Sequence, residues 1–207
     1  MTTDLRRIFG ARLQSLVGYG TAGDQDDQHT LALVDQLTFQ DFAACVPLVP
    51  VWRRAGFAVP LLLTREEFLR TLDVFPIEYG DIIDRHVVLF GADPFAGMAV
   101  RETDLRRACE QQAKSHLIHL REGFLENGRE PRAIARMISA SAAPLRALVA
   151  NLEHLDAGIA ARAGLTPALL AEIAAADGST ISEPSALLAR YIAAVERLWR
   201  EVDGWKE

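Results

Sequence analysis

The chain has 207 residues, half of them hydrophobic and 24% charged, enough apolar material for one large core or two small ones. Its formal net charge of -6 sets a global field against a phosphate backbone, so nucleic acid is not an expected partner. Met1-Thr2-Thr3-Asp4-Leu5-Arg6-Arg7 has no apolar signal-peptide core and no unbroken apolar run reaches bilayer length, so a cytoplasmic protein with no membrane partner is expected.

Residues 4–14 place Leu5, Ile8, Phe9 and Leu13 on one helical face. Ser15-Leu16-Val17 reads as a short strand, followed by the glycine run Gly18-Tyr19-Gly20-Thr21-Ala22-Gly23 and an acidic loop, Asp24 to Gln28. Thr30-Leu31-Ala32-Leu33-Val34 reads as a buried strand, and residues 39–54 as a helix ending before Gly56. Residues 57–63 read as a further strand, with Pro60 suggesting an edge or a bulge. Thr64 with Glu66 and Glu67 starts a helix, because a hydroxyl and carboxylates satisfy free amide donors. A segment from Pro76 to Asp84 leads into the strand Val87-Val88-Leu89-Phe90, closed by Gly91.

From about residue 101 the pattern turns wholly helical. Residues 103–126 form one helix, stopped by Asn127-Gly128. Residues 131–149 form a second, with Pro131 suited to its first turn and a kink expected at Pro144. Thr166-Pro167 and Glu183-Pro184 open two more. The last carries Leu187, Leu188, Tyr191, Val195, Leu198, Trp199 and Val202 as an apolar stripe, which is expected to be buried. Two domains follow from this reading: residues 1–100, an α/β domain, and residues 101–207, a helical bundle.

Gly18-Tyr19-Gly20-Thr21-Ala22-Gly23 fits the spacing GxGxxG, but too few residues separate Gly23 from the next strand for a βαβ crossover, which needs about a dozen or more. A turn at Gly20-Thr21 suits the sequence better. There Gly20 lets backbone approach a phosphate, and the Thr21 hydroxyl donates to it.

The order strand, Gly-Tyr-Gly-Thr-Ala-Gly-Asp, loop, strand resembles the nucleotidyltransferase superfamily, the polymerase-beta-like fold. Pro60-Leu61-Leu62-Leu63-Thr64-Arg65-Glu66-Glu67, Phe75-Pro76-Ile77-Glu78-Tyr79 and Leu89-Phe90-Gly91-Ala92-Asp93-Pro94 resemble a bacterial subgroup of nucleotidyltransferase-domain proteins. Glu110-Gln111-Gln112 and Leu117 to Gly123 are similar to the start of that subgroup's C-terminal helical region. The resemblance implies an α+β fold, a small mixed sheet of nucleotidyltransferase type with flanking helices, followed by a C-terminal helical bundle. It implies ligand contacts at Gly18, Gly20 and Thr21. In that family a Gly-Ser turn precedes an Asp-x-Asp on the next strand. Two carboxylates at i and i+2 share a strand face and, with a third, hold divalent metals that bridge the nucleotide phosphates.

This chain departs from that pattern. The two strand positions hold His29 and Leu31, and no acid lies in residues 57–63. A degenerate protein that binds a nucleotide or another phosphate ligand, rather than catalysing, is therefore expected. The alternative is an active, Mg2+-dependent nucleotidyltransferase using Asp24, Asp26 or Asp27 as catalytic residues, with Asp24, Asp26 and His29 as metal ligands. A third reading is a structural protein that forms a homodimer, or meets a protein partner, through its C-terminal helices.

Other constellations are open to ordinary structural readings. Cys45 and Cys109 lack metal or redox spacing and are expected as buried free thiols. Cys109 and His116 share a helix face, with His119 close by, but no fourth ligand completes a set. Arg106, Arg107, Lys114 and Arg121 give one helix a basic edge, and Arg132, Arg136 and Arg146 the next; solvated faces are expected. Glu78, Asp81 and Asp84 fall near one helix face, with His86 the nearest base.

Overall fold

A computed structural model describes residues 1–20, 28–128, 130–176 and 183–205. The chain divides into two compact units, Met1–Arg101 and Glu102–Glu207. The first is built on a four-stranded mixed sheet and the second is helical.

In the first unit, helix α1 (Thr2–Phe9) leads through a 3-10 turn into strand β1 (Leu13–Tyr19). Gly10, at φ 56°, ends the helix, so Leu13 belongs to the strand and not to a helix running to residue 14. Strand β2 (His29–Val34) returns antiparallel to β1, pairing Tyr19 with His29, Val17 with Leu31 and Leu16 with Ala32. The expected helix over 39–54 is broken into α2 (Phe39–Cys45) and α3 (Val49–Arg54) with a 3-10 turn between them. Pro47 and Pro50 lack the amide hydrogens a continuous helix would use. Strand β3 (Leu61–Thr64) runs parallel to β2 and begins only after Pro60; Phe57 makes an isolated bridge to Gln28.

Helix α4 (Arg65–Arg70) starts at a reciprocal cap. The Glu67 amide donates to the Thr64 hydroxyl at 3.1 Å, and the Thr64 amide donates to the Glu67 carboxylate at 2.7 Å. Helix α5 (Pro76–Asp84) then leads to strand β4 (Val87–Gly91), which pairs antiparallel with the other side of β1. The sheet order is β3-β2-β1-β4.

Alternation along the strands gives the sheet two apolar faces. Leu16, Ala32 and Val34 pack with Leu5 and Phe9 of α1, Cys45 of α2 and Trp52 of α3. The indole of Trp52 donates to Asp4 at 3.0 Å, tying α3 to α1. Val17, Leu31 and Leu33 pack on the other face with Phe68 of α4, Tyr79 and Ile82 of α5, and Phe95. At the foot of β1, Arg12 donates two hydrogen bonds to the Asp41 carboxylate, at 2.9 and 2.7 Å. That guanidinium holds the Asp41 carboxyl well below the usual carboxylate range.

The second unit comprises α6 (Glu102–Asn127), α7 (Pro131–Leu155), α8 (Ile159–Arg162), α9 (Pro167–Ala174) and α10 (Pro184–Asp203). Helix α7 continues six residues past the expected end at 149 and carries Pro144 within it. By length and composition alone α7 could cross a membrane, which a search for an unbroken apolar run misses. It is amphipathic: Ile134, Ile138, Leu145, Leu148 and Leu152 are buried, α7 packs against α6, α9 and α10, and Arg132, Arg136 and Arg146 lie exposed on it. The buried stripe of α10 is Leu187, Leu188, Tyr191, Val195, Leu198 and Val202, with Trp199 half-buried at its edge.

Candidate functional site

Strand β1 carries the glycine run to the rim of the sheet. Gly18 lies within the strand, paired with Thr30 on one side and Val87 on the other, so its peptide belongs to the sheet. The chain leaves the sheet at Gly20, which is exposed and has φ 101°, a conformation that L side chains rarely adopt. Thr21, Asp24, Asp26 and Asp27 lie outside the described residues.

Tyr19 and His29, opposite each other across β1 and β2, stack at the rim with centroids 5.6 Å apart and planes 29° from parallel. Tyr19 is packed against the cluster of Val17, Leu31 and Phe68. Burial, and then the neighbouring phenol of Tyr79, push the Tyr19 hydroxyl up from its ordinary value. His29 is exposed, and its Cδ2 lies 3.8 Å from where a Cβ on Gly20 would stand. The pairing of Tyr19 with His29 is not apparent from the sequence. Its signal would have been the β1–β2 register, which a glycine loop of uncertain length hides.

The face below this rim decides what chemistry the sheet can support. Leu31, two residues along β2 from His29, has no exposed surface. Its sheet neighbours on the same face are Val17, Leu33, Leu61 and Leu63. Phe68 covers them, stacked on Tyr79 with centroids 4.5 Å apart and tilted against Phe95 at 4.8 Å. Two metals bridging phosphates need convergent carboxylates; strand positions 29, 31 and 61–64 supply one imidazole and apolar or hydroxyl side chains. Among the described residues, no three histidine, cysteine or acidic side chains gather as a metal set.

The other constellations resolve as follows. On α5, Asp81 pairs with Arg85, while Glu78 and Asp84 are exposed. His86 turns away from them: its Nε2 lies 3.1 Å from Asp93 and its Nδ1 2.9 Å from the carbonyl of Ile83. The same Asp93 oxygen accepts the Phe95 amide at 2.8 Å, which fixes the turn carrying Phe95 into the core. In the helical unit, burial pushes the Cys109 thiol up to about 12 and Cys45 upward as well, so both are neutral thiols. His116 faces Tyr191 at 2.5 Å, whereas His119 is exposed beside Ser115 at 3.4 Å; these two histidines and Cys109 do not converge. Of the basic residues on α6, Arg106 pairs with Glu102, Arg121 pairs with Glu196, and Lys114 lies 3.3 Å above the Trp199 ring.

No family model matches this chain, and no curated protein matches it either.

Proposed function

We propose that this chain is a nucleotidyltransferase-like protein that binds a nucleotide or another phosphate ligand at the turn following β1 and does not use the family's metal chemistry. The observation that carries the reading is Leu31. It sits two residues along β2 from His29, on the face where the family's second carboxylate stands, and is packed beneath Phe68 and Tyr79. A carboxylate there would be buried among apolar side chains, which costs several kcal/mol. The ligand end of the proposal rests on Gly20, where the chain leaves the sheet at a positive φ and no Cβ stands between an anion and the backbone. The order of strand, glycine turn, and antiparallel return strand supports the superfamily resemblance.

Two measurements test the reading. The purified protein is incubated with labelled nucleoside triphosphates, Mg2+ or Mn2+ and a range of acceptors, and pyrophosphate is followed. No release above background is expected. Robust release that disappears in an Asp24/Asp26/Asp27 triple alanine variant establishes the catalytic alternative instead. In parallel, nucleotide binding is measured by calorimetry for the parent and Gly20→Val. Saturable binding that the substitution weakens is expected; equal binding to both proteins moves the site elsewhere.

A further inference from the structure

We propose that the outer edge of β3 is a docking site for an extended segment of a partner protein. That segment adds a strand to the sheet, with apolar side chains at alternate positions and acidic residues at one end. The site lies wholly within the first unit and is independent of the turn after β1.

The sheet order β3-β2-β1-β4 gives β3 a neighbouring strand on one side only. Parallel pairing with β2 uses the main-chain groups on that side, and the remaining amides and carbonyls of an edge strand point the other way. Among the described residues, main-chain bonds outside the helices and strands include none to Leu61, Leu62 or Leu63. Edges are commonly blunted by a charge or a proline within the strand. Here Pro60 stands before the strand, and Leu61-Leu62-Leu63-Thr64 carries neither.

Beside that edge runs a groove of about 320 Å3. Phe42, Val46 and Trp52 line it from α2, α3 and the turn between them, and Val59, Pro60 and Leu62 line it from the strand side. Neither β1 nor β2 contributes to it, so the groove lies at the margin of the sheet and not over its middle. Leu62 packs on the helix side of β3, Leu61 and Leu63 on the other. A strand added alongside alternates in the same way, so every second side chain enters the groove. Hydrogen bonds along the edge supply affinity, and the groove selects side chains. Its mouth is apolar yet open to solvent, with Phe42 43%, Val46 66% and Val59 51% accessible.

Charge specifies the rest of the partner. No charged side chain lines the groove among the described residues. Arg53 and Arg54, both exposed, end α3 immediately after Trp52. Arg53 follows Val49 by four residues, so it extends the helix face on which Val49 and Trp52 line the groove. Carboxylates on the partner match this basic end. A second copy of the chain fits less well: it brings a net charge of -6 and a β3 strand with no acid to meet the two arginines.

Fluorescence anisotropy on the full chain tests this with labelled synthetic peptides of about eight residues, within the usual length of a strand. They alternate threonine with valine, leucine or phenylalanine and end in two aspartates. Saturable binding is expected. Val59→Asp puts a charge at the groove mouth and should weaken it at least about tenfold. Arg53→Glu with Arg54→Glu should weaken it about three- to tenfold at low salt and less at high salt. Methylating alternate main-chain nitrogens of the peptide should abolish binding in one phase and spare it in the other, because one edge of the peptide faces β3. Equal binding of both methylated forms, or equal binding to the parent and Val59→Asp, overturns the proposal, as does the absence of binding by every peptide. A parent that is dimeric and becomes monomeric on Val59→Asp overturns it in favour of a second copy. The methylated peptides leave the protein untouched, so they decide the matter even where a protein variant melts early.

Discussion

His116 and Tyr191 meet inside the helical unit, with Nε2 2.5 Å from the phenol oxygen. Tyr191 has no exposed surface, and its hydroxyl is also 3.1 Å from that of Ser141. Ser141 has one hydroxyl hydrogen and donates it to the Ile138 carbonyl at 2.7 Å, an atom that can only accept. Through the Ser141–Tyr191 and Tyr191–His116 contacts, α6, α7 and α10 are joined by one chain of polar groups. Burial, reinforced by nearby His119, lowers the His116 pKa to about 4 from its ordinary 6.5.

The sign of the resulting pH dependence follows directly. Between those two values the unfolded chain binds a proton that the folded chain does not, so stability is full above about 6.5 and falls as pH drops toward 4. The loss is on the order of 2–3 kcal/mol for a shift of this size. Urea unfolding of the parent and His116→Gln at pH 7.5, 6, 5 and 4.5 measures it. The difference between the two proteins should shrink as pH falls; a constant difference removes His116 from the acid response.

Leu31 gives a prediction about restored chemistry. Leu31→Asp puts an acid at the strand position where the proposed reading expects one, yet places it beneath Phe68 and Tyr79. The cost is expected to exceed about 3 kcal/mol, because the acid is buried among apolar side chains. Denaturant titration reads the loss, and no Mg2+-dependent pyrophosphate release should appear. A variant as stable as the parent would mean that this face opens to water.

Gly91 is fixed by backbone, not by function. Its φ is 80°, and a Cβ there would stand 2.1 Å from the carbonyl oxygen of Gln14 across the β1–β4 ladder. Gly91→Ala must therefore push the two strands apart as well as hold a strained φ. The strain alone costs on the order of 1–3 kcal/mol. Gly97→Ala is the control, since its φ of 74° is similar but nothing lies within 4 Å. Thermal melting should rank the control between the parent and Gly91→Ala.

What the sequence disclosed and what it hid divide along local and non-local lines. The strands around residues 15–17, 30–34 and 87–90 and the helix start at Thr64 were legible, since alternation and capping depend on a few neighbours. The break between α2 and α3 lay in plain view at Pro47 and Pro50, and periodicity alone passes over it. Strand order was not legible, because nothing local says that β4 lies beside β1 and β3 beside β2. The same holds for the candidate site. The lack of acids at His29 and Leu31 could be read directly, but the contacts of Tyr19 with His29 and of His86 with Asp93 require segments brought together by folding.

Leu198 tests the assignment of the α10 stripe. It has no exposed surface and lies one turn from Val195 and Val202, which are also buried. Trp199, one residue on, is half-buried and lies under Lys114, so neighbouring positions on α10 occupy different environments. Leu198→Ala removes three carbon atoms from the packed interior and leaves a cavity, at a cost of about 2–5 kcal/mol. Trp199→Ala opens a half-exposed site instead, and loses the contact with the Lys114 ammonium, an exposed-type cation–π pair worth about 0.5–1 kcal/mol. Chemical denaturation of both variants, followed by far-UV circular dichroism, should place Leu198→Ala below the parent by the larger margin. If Leu198→Ala unfolds with the parent while its oligomeric state is also unchanged, the stripe is neither core nor interface.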